Sequence, residues 1–260
     1  MKLGRYLEYR VGKSVLSEIE QRQDKYVLIH YATSDMDGED YPQVTCISML
    51  FLENRERVSF SIQKYISDNM TVEEAEKKLL TEFLAFVQEL SRYFTFIHWN
   101  MNSDFFGFEA IENRYQRIFG NFPSFRLRVL KKIDLDDLFG KLYSQEYAKQ
   151  GKLYTLYKIN KLDISGFLHG KEEADLVKKG QWLDIAKSSK AKVDALYDVL
   201  YLAMNNKLKV EKKFNNQNLI FKDRIQYFIN ETILGRFVFW LIVSTIGALI
   251  GVVLDRILRG

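Results

Sequence analysis

The chain has 260 residues, of which 47% are hydrophobic and 28% charged, a balance that excludes an intrinsically disordered chain and suits one sizeable domain with an appendage. A formal net charge of +4 is compatible with nucleic acid or an anionic membrane surface and selects neither. The single cysteine, Cys46, excludes a disulfide framework, and no Walker loop, dinucleotide glycine fingerprint, zinc-ligand spacing or Ser-His-Asp set occurs.

Residues 1–24 carry apolar positions at helical spacing (Leu3, Tyr6, Leu7, Val11, Val15, Leu16, Ile19), which predicts a helix packed on the edge of a domain. The apolar run 26–31 predicts a buried central strand, and an acidic turn around Asp37-Gly38 follows it. Residues 43–52, with Cys46 as a buried thiol, and residues 57–62 predict two more strands, so the first three form an antiparallel meander. Thr71-Val72-Glu73-Glu74 is a capping box ahead of the stripe Leu79, Leu80, Phe83, Leu84, Val87 and Leu90, and it predicts a long helix ending near Tyr93.

The stretch 94–115 organises the rest. An aromatic and β-branched run (94–99) passes through a polar bend into Phe105, Phe108, Ile111 and Tyr115 at helical spacing, a strand leading into a helix. Asn100 and Asp104 thereby fall at the carboxyl end of a strand, where open α/β sheets place ligand sites. Residues 127–133 predict a fifth strand, then the acidic turn 134–137 and a helix carrying Leu138, Leu142 and Tyr143. Residues 151–205 are helical by pattern. Residues 206–236 read as a basic linker followed by an amphipathic helix with Lys222 and Arg224 on its polar side. Strands followed by strand–helix alternation predict an α/β domain over 25–205 with a mixed sheet, antiparallel first and parallel through helical crossovers later.

That order, together with Asn100-x-x-x-Asp104 before an apolar helix, resembles the DEDD family of 3′-5′ exonucleases, which have a ribonuclease H-like fold. The family's first strand ends Asp-x-Glu-Thr; here His30 and Ala32 stand at the two acidic positions and only Thr33 agrees. Ile133-Asp134-Leu135 resembles the family's strand end before a helix. Its last motif, His-x-Ala-x-x-Asp, is similar to 189–194, with Ala191 and Asp194 in place and Ser189 where the general-base histidine would be.

The resemblance implies two divalent ions, Mg or Mn, about 4 Å apart and held by four carboxylates. With two carboxylates and the base missing, Asp104 and Asp194 are the remaining metal candidates, and the expectation is a catalytically impaired domain. His30, or a carboxylate among Asp35, Asp37, Glu39 and Asp40, offers a rescue of one metal site; a solvated acidic turn is the plainer reading of that loop. Lys187, Lys190 and Lys192 around Asp194 are candidate nucleic-acid contacts, or else the solvated face of a helix. Lys207, Lys209, Lys212 and Lys213 suit phosphates or anionic headgroups. His98 reads as a strand-end histidine and His169 as a loop residue.

Residues 237–254 are eighteen consecutive residues without a charge, a helix of roughly 27 Å and close to the thickness of a bilayer core. Phe237 and Trp240 sit at the first boundary, and Gly247 and Gly251 form a small-residue stripe suited to a homodimer of such helices. With no apolar core in residues 1–10, the expected topology is a cytoplasmic domain held by a C-terminal single-pass anchor. The expected function is a membrane-tethered, impaired exonuclease-like domain that binds a nucleic acid or a protein partner, a pairing that suits a bacterial stress or antiviral defence effector. Two alternatives stay open: an active metal-dependent 3′-5′ exonuclease, and a structural membrane adaptor without nucleic acid.

Overall fold

The computed structural model describes residues 5–34, 41–67, 69–103, 106–149, 151–163, 165–212 and 217–259. The chain runs α1 (Arg5–Gln21), β1 (Tyr26–Thr33), β2 (Val44–Phe51), β3 (Arg57–Ser61), α2 (Ile62–Tyr65), α3 (Val72–Leu90), β4 (Thr95–His98) and α4 (Phe108–Phe119). It continues through β5 (Lys132–Asp134), α5 (Leu135–Leu142), α6 (Lys152–Ile159), α7 (Gly170–Lys178), α8 (Trp182–Met204), α9 (Gln217–Glu231) and α10 (Ile233–Arg259).

The sheet is mixed, in the order β3-β2-β1-β4-β5. Strand β2 pairs antiparallel with β1 and β3, in the expected meander, whereas β4 joins β1 and β5 joins β4 in parallel. Each parallel addition comes after a helix, because a parallel partner can be reached only by a crossover. Alternation along β1 divides the core. Val27, Ile29 and Tyr31 face α3 and α4, where Phe83 and Phe96 are fully buried; Tyr26 and Leu28 face the side of α1, α5 and α8. Fully burying side chains of that size stabilises by roughly 1.5–3 kcal/mol each.

The capping box forms as the sequence predicts: Glu74 N–H donates to Thr71 Oγ1 at 3.2 Å while Glu74 Oε2 accepts from Thr71 N–H at 2.8 Å. Residues 127–133 depart from the expected strand. Leu127–Val129 is a 3₁₀ turn and only Lys132–Asp134 is strand. The Leu130 N–H is spent locally on Leu127 O (3.2 Å), that of Arg128 on Glu112 Oε1 (3.3 Å), and Leu127 and Leu130 are pulled into the core.

The stretch expected as a linker is also docked over residues 206–212. Leu208 is buried, the Lys209 N–H donates to Asn160 Oδ1 at 2.8 Å, and Glu211 N–H donates to Tyr147 O at 2.9 Å. Bonds to the Leu202 carbonyl of α8 and to polar groups of neighbouring loops satisfy its donors without a regular element. The apolar tail is a continuous helix whose window Ile233–Gly251 has a mean hydropathy of 2.1 and is 6% buried, so it is long and apolar enough to cross a bilayer and is not a core helix of this fold.

Candidate functional site

The carboxyl ends of β1 and β4 meet a tight loop. Asn100 follows β4 with φ of 52°, a left-handed conformation that asparagine tolerates better than most residues. Its N–H donates to Asp134 Oδ1 at 3.1 Å, and Asn102 Nδ2 donates to Asp134 Oδ2 at 2.6 Å. Asp134 also caps α5 by accepting from Asp136 N–H at 2.9 Å. One carboxylate therefore joins the β4 loop to the start of α5, and burial pushes that carboxyl up from its ordinary range. His98 lies beneath, with Nδ1 accepting from Met101 N–H at 3.3 Å; burial and then the Lys132 ammonium lower it to about 4, so it is neutral at neutral pH.

An antiparallel bridge between Asn102 and Gly107 closes the loop. Gly107 has φ of 152°, and a Cβ there would meet Met101 O at 2.3 Å, so only glycine fits. Its N–H donates to Tyr31 Oη at 2.6 Å, and the Tyr31 ring stacks on Phe106 at 4.6 Å. Asp104 and Phe105 lie outside the described residues, as do Asp35, Asp37, Glu39 and Asp40.

A cavity of about 460 Å³ opens at the end of β1, between that strand, the first turns of α7 and the middle of α8. His30, Ala32, Thr33, Phe106, Lys171 and Lys192 are among its lining residues. Lys192 Nζ donates to Glu173 Oε2 at 2.5 Å, and Ser188 Oγ donates to Glu173 Oε1 at 2.6 Å. All three side chains are buried, so the ammonium is held in place by a buried ion pair. Burial first, and the Lys192 charge second, hold His30 well below the usual imidazole range. His30 Nε2 is buried and has no hydrogen-bond partner among the described residues, and Ser189 Oγ is buried beside the Cys46 thiol.

The structure brings several predicted positions together and separates one. His30 and Ala32 share a strand face, as a spacing of two requires, and Ala32 packs with Cys46, Ile185 and Ala186. Ser189 and Lys192 come from α8 to this same face of the sheet, which buries them both. Asp194 does not join them. Its Oδ1 accepts from Arg57 Nε and Nη2, both at 2.8 Å, at the start of β3. Residues two apart on a helix point about 200° apart, so with Lys192 turned toward Glu173 and the cavity, Asp194 is turned away.

The three lysines around Asp194 also divide. Lys187 is exposed and pairs with Asp184 at 3.1 Å, Lys190 is exposed, and Lys192 is committed to Glu173. In the docked basic stretch, Lys212 pairs with Glu146 and Lys213 lies outside the described residues. His169 precedes α7, with its N–H on Glu172 Oε2 at 2.7 Å and its ring against Tyr154. Glu173 escaped the sequence reading because it adjoins Glu172, which serves the helix end. Helical spacing from Glu173 to Val177 was the signal for its inward side.

A pair of divalent ions does not fit the described donor set. The ion pair that the resemblance implies would take carboxylate oxygens at both positions on β1, where a neutral imidazole and a methyl group stand, and a lysine ammonium occupies the facing side. Among the described residues, no three His, Cys, Asp or Glu side chains converge as a metal-binding group. In the tail, Phe237 and Trp240 are exposed, and open space surrounds Gly247 and Gly251. No protein-family model matches the chain, and no curated protein is significantly similar to it.

Proposed function

We propose that this chain is a membrane-tethered, ribonuclease H-like domain of the DEDD exonuclease kind in which metal-dependent cleavage has given way to binding. The cavity at the end of β1 receives the end of a nucleic-acid strand, and α10 anchors the domain in a membrane. An antiparallel meander extended beside β1 by two parallel strands is the arrangement that the resemblance implies, and it supports the fold half of the reading.

The observation that carries the functional half is Lys192. At the strand end where captured metal ions would sit, the chain supplies its own cation, fixed by Glu173 and bordering the cavity. An ammonium attracts a phosphate oxygen as a point charge but does not generate a hydroxide nucleophile as a bound metal does. Exposed Lys171, which lines the cavity, adds the screened, sequence-independent attraction typical of phosphate-backbone contacts. A protein partner is the second reading, favoured by the balance of the lining, where Glu173 and Asp175 match Lys171 and Lys192.

Fluorescence anisotropy of the full chain in detergent with short single-stranded oligonucleotides tests the proposal. Affinity is expected at low salt, falling as salt rises and weakened by Lys171→Glu, with the oligonucleotide left intact in Mg or Mn. Absence of affinity at low salt would favour the adaptor. Metal-dependent trimming that disappears in Asp104→Asn would establish the active exonuclease instead.

A further inference from the structure

Residues 217–259 form two helices that meet at a corner. Within one continuous helix, residues 228 and 235 would stand roughly 10 Å apart along the axis. Here a Cβ on Gly235 would lie 1.8 Å from the Phe228 carbonyl oxygen, so the first turn of α10 rests against the last turns of α9 and a side chain is excluded. Thr232 builds the corner: its hydroxyl donates to Phe228 O at 2.7 Å and accepts from Gly235 N–H at 2.9 Å. Arg236 closes it by donating from Nε and Nη2 to Asn230 O at 2.9 and 2.7 Å, which satisfies a carbonyl at the end of α9.

Because of this corner, α9 does not continue along the axis of α10. One side of α9 packs on α1, where Tyr227 meets the Tyr6 ring at 6.0 Å and the Arg10 guanidinium at 5.6 Å. Another side carries Phe221, Ile225 and Phe228 at i, i+4 and i+7, which are 62%, 43% and 38% exposed. This apolar stripe ends at the corner from which the membrane-length window begins. Exposed Arg224 and Arg236 lie beside it, placed as the cations that flank interfacial helices are.

We propose that α9 is an interfacial helix: its Phe221–Ile225–Phe228 stripe lies at the boundary between lipid headgroups and acyl chains. The corner then sets α10 descending into the bilayer and holds the soluble domain with its α1 side toward the surface. The inference rests on α10 being the anchor proposed above. The occupant is lipid rather than protein because the stripe is continuous with the bilayer-length segment and is bordered by cations suited to phosphate headgroups.

The test uses the full chain in a Cys46→Ala background, reconstituted into vesicles of phosphatidylcholine and phosphatidylglycerol. Environment-sensitive fluorophores are placed on single cysteines at Phe221, Ile225 and Phe228, at Gln226 off the stripe, and at Ile246 in α10. Nitroxide lipids at shallow and deep positions serve as quenchers. The stripe labels are expected to show blue-shifted emission and preferential loss of intensity with the shallow quencher. The label at 226 should stay water-like and that at 246 should respond to the deep quencher.

Water-like, unquenched labels at 221, 225 and 228 with a quenched label at 246 would overturn the interfacial helix and leave the anchor standing. An unquenched label at 246 would overturn both. Stripe labels that are blue-shifted, untouched by either quencher and dependent on the protein-to-lipid ratio would assign the stripe to a second copy and also overturn the proposal.

Discussion

Removing Arg114 should be among the most damaging single changes outside the apolar core. Arg114 on α4 donates to Glu76 of α3 through Nε (2.9 Å) and Nη2 (2.7 Å), and to Tyr41 O through Nη1 (3.2 Å). Glu76 is fully buried and also accepts from Val44 N–H at 2.7 Å, so the pair joins two helices to the first residue of β2. Arg114→Met leaves that carboxylate in the interior with only neutral donors around it. The two lost bonds to the carboxylate, at about 1.5–3 kcal/mol each, agree with the roughly 3–5 kcal/mol that breaking a buried pair costs.

Urea unfolding of the full chain in detergent, followed by tryptophan fluorescence, reads the loss directly. The double variant Arg114→Met with Glu76→Leu should recover much of it, because both charges are then gone and the space is refilled by apolar groups. A single variant within about 1 kcal/mol of the parent would refute the reasoning, since a surface-like pair is worth no more than that. A double variant as damaged as the single would show that packing, not charge, holds this corner.

Acidification supplies a second expectation. His98 is buried and neutral when folded, with its value lowered from 6.5 to about 4, so the unfolded chain binds the proton first as pH falls. Stability is therefore present above pH 6.5 and is lost as pH falls from 6.5 toward 4, by roughly 3 kcal/mol at about 1.4 kcal/mol per pH unit. His98→Asn should flatten that slope in the difference between variant and parent; an unchanged slope would exclude His98 as its source. Gly107→Ala should cost at least about 1–3 kcal/mol, because the alanine must adopt φ of 152° with its Cβ against Met101 O. Thermal unfolding checks it, and a neutral result would mean that the 102–107 loop is free to relax.

The order and kind of most elements can be read from neighbouring residues, because periodicity and capping are local. The Thr71 box, the alternation that divides β1 and the uncharged run of the tail each state a preference written into neighbouring residues. The same locality explains why only the end of the 127–133 stretch is strand: a bond from Arg128 N–H to Glu112 reaches sixteen positions back and competes with strand geometry. It explains equally why residues 206–212 read as linker, since their partners Asn160 and Tyr147 are far away in the chain.

Which charge meets which depends on the folded chain. Periodicity tells which side of a helix is buried but not what stands opposite, and several combinations of acid and base would satisfy the same pattern. The fold settled that Asp194 is taken by Arg57 and that Lys192 is taken by Glu173 beside the cavity. A charge leaving water must be matched by a partner at hydrogen-bond distance, and only folding brings such partners within reach.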